Sequence, residues 1–406
     1  MSGKWPGGVI SKTAPTVTGP TDGEGGSASG IWTLDQAADY EKQGLWPKPT
    51  IPRELWMWGK NQFGQIGQGN THIDYSSPVQ VGALTNWLTI SCGPYYSLLT
   101  TKSDGTAWAW GNGASGMLGQ GSTLSYSSPV QIGALTDWTN PLSVGFYSPS
   151  GGIKSDGTLW LWGTGSYGQL GQGNTTSYSS PVQVGALTTW LQFAGGYYYG
   201  GAIRTDNTLW MWGRNNNYGQ GGHNNLTNYS SPKQVGALSD WVQLACGYRH
   251  AAAVKTDGTL WCWGDNGSGE LGDGTSTNRS SPVQVGALTN WSSVTCGAAF
   301  TCAIKTDGTL WTWGAGGSGQ LGHNNTTSIS SPAQVGALTT WSSVSGRGRF
   351  FAAALKTDGT LWAWGENGSG ELAQGDTTDR SSPVQVGALT TWKALAAGRK
   401  FMGAFK

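Results

Sequence analysis

The chain has 406 residues, a formal net charge of +1 and only 11% charged residues. This balance gives no general reason to expect nucleic acid or an anionic membrane surface as a partner. No apolar run approaches the ~18 residues that a membrane-spanning helix needs, and no basic segment followed by an apolar one marks a secretory signal. The 67 glycines and 24 tryptophans are far above ordinary usage, which indicates a regular structural use of both residue types.

The first part of the chain, residues 1–50, is predicted to be an extended arm. Residues 1–31 are rich in Gly, Pro, Ser and Thr and contain little that could be buried. A capping box of Thr33 and Gln36 predicts a short helix at about residues 34–43, which is too short to be stable alone. We therefore expect either a docking arm that becomes ordered against a partner or a flexible leader. The candidate docking residues are Trp5, Trp32, Leu34, Tyr40 and Trp46.

One segment of the arm resembles virion proteins. The sequence Ser29-Gly-Ile-Trp-Thr-Leu-Asp-Gln-Ala37, followed by Gly44-Leu-Trp-Pro47, is similar to a segment that recurs in tail and other virion proteins of tailed bacteriophages. The resemblance is confined to this short stretch. It implies a chain that is made in the host cytoplasm and attached by its arm to other virion proteins, on the capsid or on the tail.

From about residue 51 onward the chain is a repeat. An Asp-Gly pair precedes a Trp-x-Trp-Gly unit in most copies, as at Asp257-Gly258 before Trp261 and Trp263. Asp-Gly between strand-like segments predicts a β-hairpin with a two-residue type I′ turn. A unit of this length that recurs at a nearly constant spacing indicates a repeat architecture. The second tryptophan of the unit recurs every 50 to 52 residues, at Trp58, Trp110, Trp162, Trp212, Trp263, Trp313 and Trp364.

Each repeat contains the parts of a propeller blade. In the fifth copy we predict strands at 251–255, 259–263 and 280–285, and a fourth strand that opens with the segment 286–291. Four short strands separated by turns, without helical periodicity, are typical of one blade. The seven copies therefore predict an all-β, seven-bladed β-propeller over residues 51–406.

The two ends of the repeat region are predicted to close the ring. The first copy begins at Arg53 without a preceding strand, and the last copy stops at Lys406, which aligns with the basic residue before each hairpin turn. Pairing residues 400–406 with residues 53–58 would supply the missing strand and would remove two exposed sheet edges.

The repeat resembles that of the regulator of chromosome condensation (RCC1) family. The resemblance rests on Cys246-Gly-x-x-His250, on the sequence from Lys255 to Gly264, and on glycine-rich corners such as Gly163-Thr-Gly-Ser-Tyr-Gly-Gln-Leu-Gly171. It implies a seven-bladed propeller whose faces bind proteins. Eukaryotic members include a guanine-nucleotide exchange factor that docks on nucleosomes. We do not expect that activity here, because the repeats show no inserted wedge, the arm is not basic and fold alone does not assign function.

No catalytic set, metal site or cofactor site is predicted. The five cysteines form no C-x-x-C pair and are expected to be reduced thiols. The four histidines lie in loops whose symmetric placement argues against a shared metal site. Acidic residues cluster in two corners, at 265–273 and 366–379, where we expect solvated loops and regard calcium binding as the alternative. The chain is expected not to be an enzyme.

One loop in each repeat breaks the uniformity. It lies just before the hairpin strand and carries the residue types that are enriched at binding hot spots. Equivalent loops of a propeller lie on one face around the axis, so we predict a binding face there and expect about half of the aromatic rings to point into the blade core instead. The predicted binding-face residues are Tyr95, Tyr96, Phe146, Tyr147, Tyr197, Tyr198, Tyr199, Tyr248, Arg249, His250, Phe300, Arg347, Arg349, Phe350, Arg399 and Lys400.

These observations lead to one main hypothesis and two alternatives. The main hypothesis is a non-enzymatic structural protein of a tailed-phage virion, a propeller that is displayed on the capsid or tail and binds a protein or the host surface. The first alternative is a bacterial RCC1-like protein–protein interaction module. The second is a glycan-binding, receptor-recognising protein, because aromatic rings on a shallow face also suit stacking on sugars. Neither a nucleic-acid partner nor membrane insertion is expected.

Overall fold

The computed structural model describes residues 53–93, 95–139, 143–144 and 149–406, and also two short strands near the start of the chain. Those two strands, Val17–Thr18 and Ser27–Ala28, pair antiparallel with each other. The chain divides into two compact units, Met1–Pro52 and Arg53–Lys406. The helix predicted at about residues 34–43 lies outside the described residues, as do the predicted docking residues Trp5, Trp32, Leu34, Tyr40 and Trp46.

The second unit is an all-β propeller, as predicted. It contains seven antiparallel sheets of four strands each. The first strands of the sheets contact one another in a closed ring and line a central channel, so each blade runs from the axis to the rim. The described chain also contains one 3-10 turn, Ala114–Gly116. No helix within the described residues reaches the length and hydropathy that crossing a bilayer requires.

We number the blades from the one that joins the two ends of the ring. The first, innermost strands of blades 1 to 7 are Ala394–Ala397, Trp87–Cys92, Ser143–Val144, Trp190–Gly195, Trp241–Cys246, Trp291–Cys296 and Trp341–Ser345. The second strands are Phe401–Phe405, Ser97–Lys102, Ser150–Ile153, Tyr199–Arg204, His250–Lys255, Phe300–Lys305 and Phe351–Lys356. The third strands are Leu55–Gly59, Ala107–Gly111, Leu159–Gly163, Leu209–Gly213, Leu260–Gly264, Leu310–Gly314 and Leu361–Gly365. The fourth strands are Tyr75–Gln80, Tyr126–Gln131, Tyr178–Gln183, Tyr229–Gln234, Arg279–Gln284, Ile329–Gln334 and Arg380–Gln385.

One predicted strand belongs to a different blade than expected. The segment Gly286–Asn290 is a loop, and the strand that follows it, Trp291–Cys296, pairs with Phe300–Lys305. It is therefore the first strand of the next blade and not the fourth strand of its own repeat. The sequence repeat and the structural blade are thus offset by one strand, which is the offset that the closure of the ring requires.

The closure of the ring is confirmed. Strand Phe401–Phe405 pairs antiparallel with Leu55–Gly59. The backbone N–H of Lys406 donates to the carbonyl of Glu54 at 3.1 Å, and the N–H of Glu54 donates back at 3.3 Å. Blade 1 therefore takes two strands from each end of the propeller unit, and neither its second nor its third strand is left with an open edge.

The hairpin turn has a different geometry from the one predicted. In blade 5 the N–H of Lys255 donates to the carbonyl of Thr259 at 3.0 Å, which leaves the three residues 256–258 in the loop instead of two. Only Gly258 among them has a positive φ, of 76°. The Asp257 carboxylate accepts hydrogen bonds from the Thr259 backbone N–H at 2.9 Å and from its hydroxyl at 2.6 Å. Asp257 is thus favoured as a side-chain acceptor, whereas the left-handed position is occupied by glycine.

The second tryptophan of each Trp-x-Trp unit joins neighbouring blades. Trp263 is fully buried, and its indole N–H donates to the carbonyl of Gln220 in blade 4 at 2.9 Å. The same hydrogen bond is formed by the equivalent tryptophans Trp58, Trp110, Trp162, Trp212, Trp313 and Trp364. The buried apolar residues accordingly form seven clusters, each of which spans the joint between two blades.

Candidate functional site: the loop face

The loops between the first and second strands of the blades lie on one face, which we call the loop face. Six of these loops contribute side chains to one cavity of about 510 Å³ near the propeller axis. The structure thus brings six of the seven loops together, while their role in binding stays a prediction. The residues that these six loops contribute, in chain order, are Tyr95, Tyr197, Tyr248 with Arg249, Ala298 with Ala299, Arg349 with Phe350, and Arg399.

Several predicted binding-face residues belong to the core. Tyr199, His250 and Phe300 are the first residues of second strands, and all three are fully buried. The surface prediction is wrong for them, because the side chain at that strand position turns toward the neighbouring blade. Burial raises the pKa of Tyr199 well above its usual value, and its hydroxyl donates to the carbonyl of His250 at 2.6 Å. Tyr96 is also buried and packs against Phe63, with 5.6 Å between ring centroids.

His250 has a structural role in this arrangement. Burial lowers its pKa to about 3, so the ring is neutral at physiological pH. Its Nε2 lies 3.0 Å from the Thr301 hydroxyl, which donates its own hydrogen to the carbonyl of Glu270 at 2.8 Å. The hydroxyl can therefore only accept from the ring, so Nε2 carries the proton. This chain of hydrogen bonds links blades 5 and 6 beneath the loop face.

Arg347 occupies a different place from the other predicted arginines. Its side chain lines the central channel and not the cavity of the loop face. The guanidinium donates to the carbonyl of Gly195 at 3.1 Å, which connects blade 7 to blade 4 across the axis. Two further predicted residues, Phe146 and Tyr147, lie outside the described residues.

The tyrosines of the loop face form a continuous row. Tyr197 stacks on Tyr248 with ring centroids 4.1 Å apart and an interplanar angle of 22°. Tyr198 lies 4.4 Å from Tyr197, and Tyr167 lies 4.9 Å from Tyr198. The row therefore crosses blades 3, 4 and 5. Arg249 extends it, because its guanidinium lies 4.9 Å from the centroid of Tyr248, within cation–π distance.

Two residues of this row were missed in the sequence. Tyr167 lies in a glycine-rich corner, and Tyr218 occupies the same corner of the next blade, where its hydroxyl accepts a hydrogen bond from Arg249 Nη1 at 2.8 Å. Arg214 also joins the cluster, 5.2 Å from the Tyr167 ring. A signal was present, since each of these tyrosines stands two positions before the glutamine that follows the corner glycine.

Basic side chains lie in the loops of blades 7 and 1. The Arg349 guanidinium lies 4.8 Å from the Phe350 ring, and the Arg399 guanidinium lies 5.6 Å from the Tyr96 ring. The backbone N–H of Arg349 donates to the carbonyl of Arg399 at 3.3 Å, so the two loops are adjacent. Lys400 forms an ion pair of 2.7 Å with Glu366. The loop face therefore has an aromatic part and a basic part, which meet at the cavity.

The acidic corners are only in part the solvated loops that we expected, since Asp379 is exposed but two glutamates are not. Glu270 and Glu371 are buried, and burial raises the pKa of each to about 7. Glu371 Oε2 accepts from the backbone N–H of Ser369 at 2.7 Å, while its Oε1 has no hydrogen-bond partner among the described residues. Asp273 is instead paired with Arg279 at 2.8 Å. The same corner position holds glutamine in the blades with Gln65, Gln169, Gln220 and Gln320.

We expect the substitution Glu371→Gln to stabilise the propeller at pH 8 and to have little effect at pH 5. The folded state holds this carboxyl with a pKa of about 7, above the ordinary value of 4.5, so its contribution to stability is present at low pH and is lost as the pH rises from about 4.5 to 7. An amide carries no charge at any pH, and the gain at pH 8 should be about 2–3 kcal/mol. Urea midpoints at the two pH values measure it.

The reverse substitution, Gln320→Glu, provides the matched control for this prediction. Gln320 Oε1 accepts from the Ser318 N–H at 2.8 Å, in the same way as Glu371 accepts from Ser369. The Gln320→Glu variant should lose stability at pH 8 and keep it at pH 5. Equal effects of either substitution at both pH values would contradict a buried, proton-binding carboxyl.

The geometry offers no reactive centre in the described part of the chain. All five cysteines are free and buried, and burial raises the pKa of Cys246 to about 12. Such a thiol is protonated and is a poor nucleophile at physiological pH. His223 and His323 are partly buried and contact Met211 O and the Thr312 hydroxyl. No group of three or more His, Cys, Asp or Glu side chains in the described ranges could hold a metal ion.

Comparison with protein-family models identifies the repeat. Residues 54–100, 104–141, 156–203, 206–254, 257–304, 307–355 and 358–405 match the regulator of chromosome condensation (RCC1) repeat. A second model of the same description matches residues 241–270, 291–320 and 341–371. These matches cover most of the propeller unit.

Similar curated proteins come from plants and animals. The ultraviolet-B receptor UVR8 of Arabidopsis thaliana is 34% identical over 250 residues, which are 57% of this chain and 52% of the receptor. The E3 ubiquitin-protein ligase HERC2 of Mus musculus is 30% identical over 226 residues, which are 53% of this chain and 5% of the ligase. The chain thus spans about half of the receptor and a small part of the ligase.

Similar solved structures agree with the fold. Prp20p from Saccharomyces cerevisiae has a TM-score of 0.76 at 18% identity, over 87% of this chain and 91% of Prp20p. Human WBSCR16 has a TM-score of 0.77 at 20% identity, over 87% of this chain and 98% of WBSCR16. At these identities the similarity shows a shared architecture.

Proposed function

The chain belongs to the regulator of chromosome condensation (RCC1) repeat family, and we propose that it is a protein-interaction module that binds its partner with the loop face. One observation carries the proposal. The repeats are nearly uniform in their strands and turns, but the half-buried residues of the loop face differ from blade to blade and surround one concave cavity. Tyrosine and arginine at such a surface are the types that contribute most to binding energy.

One relative, solved in two structures, supports a protein partner. Prp20p has been characterised for binding to Gsp1p and to histones, and it has also been crystallised bound to Kap60. Those partners belong to the yeast protein. The ligase activity named for HERC2 is not transferred, because the similarity covers 5% of that protein. The shared property is a propeller that presents its loops to other proteins.

Two finer hypotheses from the sequence stay predictions. The virion hypothesis rests on the resemblance of the arm, and a chain that lacks residues 1–45 tests it, since it should fold but fail to enter particles. The glycan hypothesis rests on the half-buried tyrosines of the loop face, and loss of glycan-array binding on Tyr197→Ala would favour it. The relatives described above are eukaryotic proteins, so they favour the interaction module over a phage component.

The loop face is tested by quantitative affinity capture from extracts of the source organism. We expect the variant Tyr197→Ala/Tyr248→Ala to lose at least about 70% of the captured partner, because it removes the stacked pair at the cavity. The control is Leu238→Ala/Leu288→Ala, two exposed residues in loops at the opposite ends of the strands. The control should retain the partner. Retention by the tyrosine variant, or equal loss in both folded variants, would contradict the proposal.

A further inference from the structure

The cavity of the loop face exists because one blade lacks large loop residues. The two loop positions before the second strand, which are half-buried, hold Tyr197 and Tyr198 in blade 4 but Ala298 and Ala299 in blade 6. The two alanines line the cavity, and the side chains of the neighbouring loops form its walls. A space of about 510 Å³ fits a few side chains of a bound segment and is small for a folded surface.

Three guanidinium groups converge on this cavity, those of Arg249, Arg349 and Arg399. Among the described residues, neither Arg349 nor Arg399 forms an ion pair with a carboxylate. The nearest carboxylate to Arg249 is that of Asp265, at 3.9 Å. Arg249 Nε is buried and has no hydrogen-bond partner in the described chain. Two guanidinium groups at the cavity thus lack a carboxylate partner in the described chain, which favours a ligand that supplies one.

The carboxylates at the cavity do not neutralise these charges. Asp265 and Glu270 line it. Burial raises the pKa of Glu270 to about 7, so this carboxyl is only partly ionised in neutral solution, and the three arginines outnumber the two carboxylates. The charge pattern therefore selects an anionic ligand. A nucleic-acid strand is disfavoured, because the chain has a formal net charge of only +1 and no long basic track.

Two tyrosine rings hold one of the arginines in place. The Arg249 guanidinium lies between the rings of Tyr218 and Tyr248, at 4.7 Å and 4.9 Å from their centroids. Its Nη1 donates to the Tyr218 hydroxyl at 2.8 Å. A guanidinium fixed in this way is already oriented for a planar, two-oxygen acceptor, which is a carboxylate.

From these observations we infer that the cavity binds an acidic segment of the partner protein, with Asp or Glu side chains seated among Arg249, Arg349 and Arg399. This inference rests on the proposed function and specifies its partner. The carboxylates of the segment would accept hydrogen bonds from the guanidiniums, and the stacked pair of Tyr197 and Tyr248 would contact its backbone or an aromatic residue. The open side of the cavity admits an extended chain.

The inference is tested with a library of random 12-residue peptides displayed on phage and selected on the full-length protein. We expect the selected peptides to be enriched in Asp and Glu. A selected peptide, labelled with fluorescein, should bind Arg349→Gln/Arg399→Gln at least about tenfold more weakly than the wild type by fluorescence polarisation. The control, Lys233→Gln/Lys393→Gln, changes the net charge equally at exposed sites and should bind like the wild type.

A pH series gives a second readout on the same peptide. Binding should weaken roughly three- to tenfold between pH 6 and pH 8, because the Glu270 carboxylate ionises beside the ligand. The groups that act on the Glu270 carboxyl are the Ser268 backbone N–H, Asp265 and Arg249. His250 approaches only the Thr301 hydroxyl, which donates to the Glu270 backbone carbonyl, and it stays neutral over this range. The Glu270→Gln variant should bind equally at both pH values.

The outcomes separate the inference from the proposed function. Peptides without acidic enrichment that still lose affinity with Tyr197→Ala/Tyr248→Ala would overturn the acidic ligand and keep the loop face as the binding surface. Peptides that bind all loop-face variants like the wild type would overturn both. Absence of any enrichment over the starting library would also count against the inference. Preferential binding of a single-stranded oligonucleotide over the acidic peptides would overturn it and indicate a nucleic-acid ligand instead.

Discussion

Removal of residues 401–406 is expected to unfold the propeller at 37 °C. The deletion takes away Phe401, Met402 and Phe405, which are fully buried, and it breaks the pairing with Leu55–Gly59. Loss of a buried Phe side chain alone costs about 3–5 kcal/mol, so the two phenylalanines approach the whole stability of an ordinary domain. It also exposes two strand edges, which favours aggregation. Circular dichroism and urea denaturation should show no cooperative transition near the wild-type midpoint.

A peptide that spans residues 400–406 tests whether the effect arises from closure. Added to the truncated chain, it should restore a cooperative transition in a concentration-dependent manner, because binding of the missing strand Phe401–Phe405 stabilises the folded ring by mass action. Phe405→Ala and Leu389→Ala form a graded pair for the same purpose, since Phe405 is buried and Leu389 is 41% exposed. An unchanged midpoint after truncation would mean that the ring does not depend on this strand.

The number of blades and the closure of the ring could be predicted because they depend on spacing. The repeat length is set by how many residues one blade needs, and Lys406 aligns with Lys255 and its equivalents whatever the local geometry is. The turn type could not be predicted in the same way. Asp-Gly suits a two-residue type I′ turn, but it also suits the last two positions of a three-residue loop, and only the pairing of Lys255 with Thr259 distinguishes them.

The prediction of the site failed at positions where a shift of one residue along the chain moves a side chain from the surface into the core. The loops could be placed on one face from the repeat alone, but the first residue of each second strand points into the core, as at Tyr199, His250 and Phe300. The residue type alone does not distinguish these buried residues from Tyr197 or Tyr248, which line the cavity. The buried state of Glu270 could have been inferred, because in an alignment of the repeats it occupies the same position as the neutral residues Gln220 and Gln320.

The buried tryptophan of each Trp-x-Trp unit explains why the residues of the loop face can vary without loss of the fold. The buried one in each unit joins two blades through an indole N–H and a backbone carbonyl, so the bond does not depend on the side chain of the accepting residue. Gln, Met and Glu all occur at that accepting position. The ring is therefore held together by contacts that do not involve the side chains of the loop residues at the cavity of the loop face. Those residues can change from blade to blade without loss of the fold.

Replacement of Trp263 by alanine is the point substitution with the largest expected effect. The side chain is fully buried at the joint of blades 4 and 5, where it contacts Trp241 at 6.3 Å between centroids. Its removal should cost about 3–5 kcal/mol for the lost burial and cavity. The carbonyl of Gln220 would also lose its donor, which adds about 1–3 kcal/mol. We expect a large fall of the urea midpoint, measured by circular dichroism so that the lost indole does not affect the signal.

Trp261→Ala is the matched control, because the two tryptophans stand two residues apart on one strand. Trp261 is half-buried, its N–H donates to the Thr259 hydroxyl at 2.9 Å, and the Lys255 ammonium lies 4.4 Å from its ring. Within the described chain, Trp261 forms no hydrogen bond to a backbone carbonyl of a neighbouring blade. Its replacement should therefore cost about 1–2 kcal/mol, because only part of its apolar area and the cation–π contact are lost. Equal costs for the two variants would show that stability depends on tryptophan area alone. A much larger cost for Trp263→Ala would show that the stability depends on the contacts at the joint between the blades.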